Sequence, residues 1–208
     1  LSVDIDTKIK LILLTQKNSS DFALLKDMKL RDWTIKFLGK TNHNLLDNFT
    51  TERMNEFGLT GCLNFFNTKL DRVIINASFG KCEDTINIVN SSGNIKNVYV
   101  FSAFSDALDL DFSDLEIEKV YVKNAGNDCI DVSGGVYSIK NAQLSNCSDK
   151  GLSVGEKSVL IASDINLENS LIGASSKDFS RLVVKNSEFK STKICLEANQ
   201  KNKSLEVL

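Results

Sequence analysis

Hydrophobic and polar residues alternate along this chain in short runs, and the runs repeat. Ile95-Lys-Asn-Val-Tyr-Val, Ile117-Glu-Lys-Val-Tyr-Val and Ile139-Lys-Asn-Ala-Gln-Leu begin 22 residues apart. Each is followed by a second run: Ser105-Asp-Ala-Leu-Asp-Leu, Asn127-Asp-Cys-Ile-Asp-Val and Asp149-Lys-Gly-Leu-Ser-Val. Alternation with period two marks half-buried strands, and a fixed repeat of this length with no helical pattern marks a solenoid with strands as its rungs. The pattern predicts an all-β fold, a right-handed parallel β-helix, with the hand taken from the rule for parallel crossovers.

The repeat places the aliphatic residues in columns. One predicted strand stack runs Leu63/Phe65, Val73/Ile75, Val98/Val100, Val120/Val122, Ala142/Leu144, Ile165/Leu167 and Ser187/Phe189. The other runs Ile86/Ile88, Leu108/Leu110, Ile130/Val132, Leu152/Val154, Ile172/Ala174 and Ile194/Leu196. Stacked at the inter-strand spacing of about 4.8 Å, these columns form continuous seams, and the seams are the expected core. Between the two stacks, Asn124, Asn146 and Asn169 recur at a tight corner. Asparagine tolerates left-handed backbone, and its amides can bond each other from rung to rung.

One domain is expected over residues 1–208, with less regular rungs in 1–62 and regular ones in 63–208. Val3/Ile5, Ile9/Leu11/Leu13 and Trp33/Ile35/Phe37 read as early rungs, with Trp33 in the core. Ser20-Asp-Phe-Ala-Leu-Leu-Lys-Asp-Met reads as a short helix with Ser20 as its N-cap. Residues 39–58 have no strand pattern and carry the single histidine, His43, read as solvated. They are expected to be an insertion packed by its own Leu45, Leu46, Phe49, Met54 and Phe57 rather than a lid. Leu205-Glu-Val-Leu reads as the start of another strand.

Composition narrows the function classes. The 208 residues carry a net charge of −2 with a pI near 5.5, so no basic stripe favours a nucleic-acid partner. No apolar run reaches the length of a membrane span. The first residue is Leu1 rather than Met, so targeting is not read from this end. Proline is absent. Five cysteines, Cys62, Cys82, Cys129, Cys147 and Cys195, are irregularly spaced with no CxxC pair. That spacing favours buried free thiols over a disulfide framework, with Cys62–Cys82 the one bridge worth naming; Cys147 reads as packing.

The unusual chemistry lies on the second strand. Asp84, Asp106 and Asp128 fall in one column just before it, with Lys150 next in line. Its outward positions are Asn87, Asp109, Asp131 and Ser153, and Asp111 lies two residues beyond Asp109. So many carboxylates on neighbouring rungs repel one another unless something neutralises or uses them. A solvated acidic face, relieved by Lys150 and water, explains the column as well as a functional site does.

Phe104-Ser-Asp-Ala-Leu-Asp, Asn127-Asp-Cys-Ile-Asp-Val-Ser-Gly-Gly and Asp149-Lys-Gly-Leu-Ser-Val-Gly on consecutive rungs resemble the polygalacturonase family of the pectin lyase-like β-helix superfamily. That family carries Asn-Thr-Asp, Asp-Asp-Cys and Gly-His-Gly on successive rungs. The resemblance covers residues 104–155 and implies that Asp106 stands where the family has a water-activating carboxylate. It further implies that Asp128 matches the second aspartate of the Asp-Asp pair, and Lys150 the histidine. The family's general acid is Asn127 here, and an amide cannot protonate a leaving oxygen, so an inverting hydrolysis lacks one partner. Gly-Leu-Ser-Val-Gly-Glu-Lys-Ser and Ile-Gly-Ala-Ser-Ser-Lys-Asp are similar to bacterial β-helix regions that accompany CotH-type kinase domains. Both likenesses imply a secreted or cell-envelope setting.

Three functional readings follow. In the first, the face binds or processes a polysaccharide: Asp106, Asp128 and Lys150 take the catalytic positions, Asp109, Asp131 and Asn127 bind sugar hydroxyls, and Lys157 and Lys177, placed in one column, meet uronate carboxylates. As a lyase base Lys150 would need a depressed pKa, which the neighbouring aspartates oppose. In the second, Asp84, Asp109, Asp111 and Asp131 hold a Ca²⁺ ion without catalysis, hard oxygen donors suiting that ion; the other readings need no cofactor. In the third, the solenoid is structural or adhesive and its long side meets a protein partner.

Overall fold

The computed structural model describes residues 1–40 and 53–200. It is a parallel β-helix of about 8 turns with coils about 22 residues apart, and the described residues contain no helix. No helix among them is long and apolar enough to cross a membrane.

Each coil has three faces, not the two that the pattern predicts. The first face is built by Leu11–Thr15, Thr34–Leu38 and the later parts of Lys69–Ser78, Ser92–Ala103 and Asp114–Ala125, then by the openings of Ala142–Gly155, Ile165–Lys177 and Glu188–Asn199. The second face stacks Ala23–Lys26, Gly61–Phe66, Asp84–Val89, Asp106–Asp111 and Ile130–Ser133 beneath the closing parts of the last three long strands. The third face holds Lys29–Arg31, the openings of Lys69–Ser78, Ser92–Ala103 and Asp114–Ala125, then Val136–Ile139, Val159–Ser163 and Arg181–Lys185.

The seams are continuous. Ile35, Ile75, Val98, Val120 and Ala142 stack on the first face, and Leu63, Ile86, Leu108, Ile130 and Leu152 on the second, all essentially inaccessible to solvent. Each fully buried aliphatic side chain contributes roughly 1.5–3 kcal/mol. Three assignments change. Val73 lies over Ile95 on the third-face column, so Ile75 and Ala77, not Val73 and Ile75, meet Val98 and Val100. Leu63/Phe65 lie over Ile86/Ile88 and so belong to the second face. Leu152/Val154 lie over Ala174/Ser176, whereas Ile172 lies over Lys150.

The N-terminal region departs from expectation in three places. Ile9 is exposed and Leu11 and Leu13 are only half-buried, the inward positions of Leu11–Thr15 being Ile12 and Leu14. Val3 and Ile5 are exposed on Ser2–Asp6, which pairs antiparallel with Leu11–Thr15 and covers that edge of the solenoid. The stretch expected to be a helix from Ser20 forms the strands Ala23–Lys26 and Lys29–Arg31, because pairing with Gly61–Phe66 and Lys69–Ser78 outweighs local helical pattern. Trp33 packs against the core while half-buried. Of the expected insertion, Met54 and Phe57 are exposed rather than packed inside, and Phe57 meets Phe22 edge-on. His43, Leu45, Leu46, Phe49 and the strand expected at Leu205 lie outside the described residues.

The asparagine corner forms as predicted. Asn124, Asn146 and Asn169 have φ of 64°, 57° and 64°. Asn146 Nδ2 donates to Asn124 Oδ1 at 2.8 Å, and Asn169 Nδ2 to Asn146 Oδ1 at 2.9 Å. Replacing Asn146 by alanine removes both bonds and places a Cβ residue without amide compensation in left-handed backbone. It is expected to cost about 1–2 kcal/mol, lowering the melting temperature by roughly 2–8 °C in a calorimetric scan.

The cysteines are the clearest correction. Cys62–Cys82 and Cys129–Cys147 are disulfides, 20 and 18 residues apart in sequence, and Cys195 is free and exposed. Each bridge closes one coil upon itself inside a bend.

Candidate functional site

The bend between the first and second faces sets the geometry. Where the chain turns into Asp84–Val89, Asp106–Asp111 and Ile130–Ser133, register places Asp106 on Asp84, Asp109 on Asn87 and Asp131 on Asp109. Two polar columns therefore stand side by side along the coil axis: Asp84–Asp106–Asp128–Lys150 at the bend, and Asn87–Asp109–Asp131–Ser153 on the strand.

The bend column carries an internal hydrogen-bond relay. Asp106 Oδ1 accepts from the Asp128 backbone N–H and from Asn127 Nδ2, both at 2.7 Å. Asp128 Oδ1 accepts from the Lys150 backbone N–H at 2.9 Å and from Lys150 Nζ at 3.4 Å. Lys150 Nζ also donates to Asp149. Asp106 and Asp128 thus each cap an N–H of the coil that follows, whereas the Asp106 N–H itself bonds Glu83 O. On the strand column, Asn87 Nδ2 donates to Asp109 Oδ2 at 3.2 Å and Asp111 Oδ2 at 3.0 Å, and Lys177 Nζ donates to Ser153 Oγ at 2.7 Å.

These columns are not a solvated face. Asp84, Asp106 and Asp128 retain only 2%, 8% and 3% of their exposure, so water does little to relieve their charge. Burial pushes the Asp84 and Asp131 carboxyls up to about 7 and that of Asp106 up to about 6. Burial also raises Asp109 well above the ordinary carboxylate range, reinforced by the charges of Asp84, Asp111 and Asp131. Asp111 and Asp128 are raised by burial as well, the latter against the pull of Lys150. At Lys150 burial opposes the charge, but the hydrogen bond to Asp149 and the charges of Asp128 and Asp149 outweigh it and the pKa ends up raised. Lys150 is therefore a cation here and not a proton-abstracting base.

The structure brings Asp106, Asp109, Asp128, Asp131, Asn127, Lys150 and Lys177 into one cluster. Lys157 does not join them: it is exposed at the next corner, where its N–H bonds Asp178. The Lys177 column holds Gly155 instead, whose added Cβ would come within 3.7 Å of Lys177 Cε. The expected calcium ligands Asp84, Asp109 and Asp111 gather around Asn87, with Asp131 one coil on. Even so, among the described residues no group of three or more His, Cys, Asp or Glu side chains is disposed to hold a metal ion. Two buried oxygens, Asp84 Oδ2 and Thr85 Oγ1, have no hydrogen-bond partner among the described residues.

Sequence reasoning missed the part played by cysteine. Cys129 follows Asp128 directly, and Cys82 lies two residues before Asp84, so both disulfides anchor the bend from behind. Spacings of 18 and 20 residues, just short of one coil, were the available signal. A shallow groove of about 480 Å³, lined in part by Leu38, Tyr99, Phe101 and Tyr121, lies on the first face away from these carboxylates.

No protein-family model matches this chain and no curated protein matches it, so the cluster is interpreted from its own residues alone.

Proposed function

We propose that the protein is a carbohydrate-directed β-helix of pectin lyase-like type that binds a polysaccharide at the cluster along the two polar columns. The observation that carries this reading is the mixture of hydrogen-bonding states packed along three consecutive coils. A sugar hydroxyl both donates and accepts, so it is matched best by a surface that offers both. Asp131, half-buried with its carboxyl raised to about 7, supplies a donor at neutral pH beside the half-buried oxygens of Asp109 and Asp111. Asn127, Lys150 and Lys177 add fixed donors, the last two suited to uronate carboxylates.

Binding is favoured over cleavage. Asn127 donates its amide to Asp106 and has no proton for a leaving oxygen, and Lys150 is held charged. The two disulfides fit an oxidising setting such as the cell surface or exterior.

The test is binding and turnover measured together on polygalacturonate, xylan and galactan at pH 5 and pH 8, with Ca²⁺ and with chelator. Wild type is compared with Asp106→Asn plus Asp131→Asn, which keeps shape and acceptor oxygens. Wild type is expected to bind at least one of these polymers, and the double variant to bind it at least tenfold more weakly, with no new reducing ends. Polygalacturonate is expected to bind better at pH 5, where the carboxyls of the cluster are largely neutral and repel it less. Failure of wild type to bind any of the three overturns the reading, and reducing ends that vanish in the double variant would make the protein an enzyme.

A further inference from the structure

The acidic strand Asp106–Asp111 is bracketed by two exposed aromatic residues, Phe104 at 54% and Phe112 at 65% exposure. Scattered exposed apolar residues are ordinary, but Phe112 shares with Phe79 and Phe179 a backbone conformation that is rare for phenylalanine. Its φ is 47°, in the left-handed region that bulky residues rarely adopt. The same corner on the two preceding coils is occupied by Asn67 and Asn90, with φ of 53° and 48°, the residue type that suits it. Their N–H groups bond the coil that follows, and Phe112 N–H bonds Ser133 O at 2.8 Å in the same way.

The coil that follows makes room for the Phe112 ring. A Cβ on Gly134 would stand 2.5 Å from Phe112 Cδ1, so the ring lies against the bare α-carbon of Gly134. Glycine is the residue that admits such close approach. The ring of Phe112 is thereby held as an exposed shelf directly beside Asp111, in a position where asparagine would satisfy the fold.

We infer that Phe104 and Phe112 are the two walls of the cluster and stack against the apolar faces of sugar rings whose hydroxyl edges meet the carboxyl floor between them. A pyranose has that dual character, with an apolar C–H face and a polar rim, and an aromatic ring beside hydrogen-bonding groups matches both. The inference rests on the polysaccharide reading above and names the apolar half of that site.

The experiment is titration calorimetry with whichever of polygalacturonate, xylan or galactan wild type binds most tightly, on Phe104→Ala, Phe112→Ala, Phe112→Tyr and Phe112→Asn, with Ile161→Ala on the third face as control. Both alanine variants are expected to lose affinity by about five- to tenfold, with tyrosine restoring it and Ile161→Ala leaving it unchanged. Phe112→Asn separates the roles: it returns the corner to the residue found at 67 and 90, so its melting temperature is expected to hold or rise while affinity falls as in the alanine variant. If the Asp106→Asn plus Asp131→Asn variant loses binding while both alanine variants and Phe112→Asn bind like wild type, the walls are wrong and the cluster stands. If wild type binds none of the polymers, the underlying reading has failed and the walls fall with it.

Discussion

Replacing Cys129 and Cys147 together by alanine is expected to lower the melting temperature by about 6–12 °C. The bridge closes a loop of 18 residues, and opening a loop of that size returns conformational freedom to the unfolded chain worth about 3 kcal/mol. For a chain of this length each kcal/mol moves the midpoint by roughly 2–4 °C. The damage should also be local. Cys129 follows Asp128, whose carboxylate caps the Lys150 N–H, so amide exchange should quicken first at that bend. The measurement is scanning calorimetry of the oxidised protein, the reduced protein and the alanine pair, all carrying Cys195→Ser to prevent thiol exchange. An alanine pair that melts within about 2 °C of the oxidised protein would show that the bridge is not holding the coil.

Stability is expected to fall as pH rises from about 4 to about 7, the reverse of what ion-paired carboxylates give. The sign follows from proton counting. The unfolded chain releases its aspartate protons near 3.8, whereas burial keeps Asp84 and Asp131 protonated up to about 7 and Asp106 up to about 6. Across that window the folded state binds more protons, so deprotonation favours unfolding. Urea titrations in chelator should therefore give a higher midpoint at pH 5 than at pH 8. Asp84→Asn, which removes the titration, should flatten the profile and gain stability chiefly at pH 8. Equal midpoints for wild type at the two pH values would contradict this account.

Much of the fold was legible because a solenoid writes the same instruction repeatedly. Ile95, Ile117 and Ile139 expose the period, and the asparagine corner follows from it, down to the amide ladder. The third face was not legible: its strands Val136–Ile139 and Val159–Ser163 are short, and three of its strands run without a break into first-face strands. Leu63/Phe65 went to the wrong seam because alternation identifies a strand but not its neighbour, which only long-range pairing decides. The candidate site was legible in membership and illegible in environment. Alternation correctly turned Asp109 and Asp131 away from the core, yet it left open whether outward meant solvated. The bend folds one outward column against the other, and that contact, which buries Asp84, Asp106 and Asp128, belongs to three coils together.

The left-handed corners described for asparagine bear on a number that composition alone leaves bare: 208 residues without a proline. In the interior of the solenoid each strand has a neighbour on both sides, so its N–H groups are engaged in ladders and an imide nitrogen would leave a gap. The remaining refuge in most proteins is the turn. Here the turns at Asn67, Asn90, Asn124, Asn146, Asn169 and Asn186 have φ between 48° and 64°, which a pyrrolidine ring fixed near −65° cannot adopt. Strand and corner exclude the residue for separate reasons. A chain so built also carries no prolyl bond to isomerise, so slow steps in its refolding belong to disulfide pairing and coil stacking.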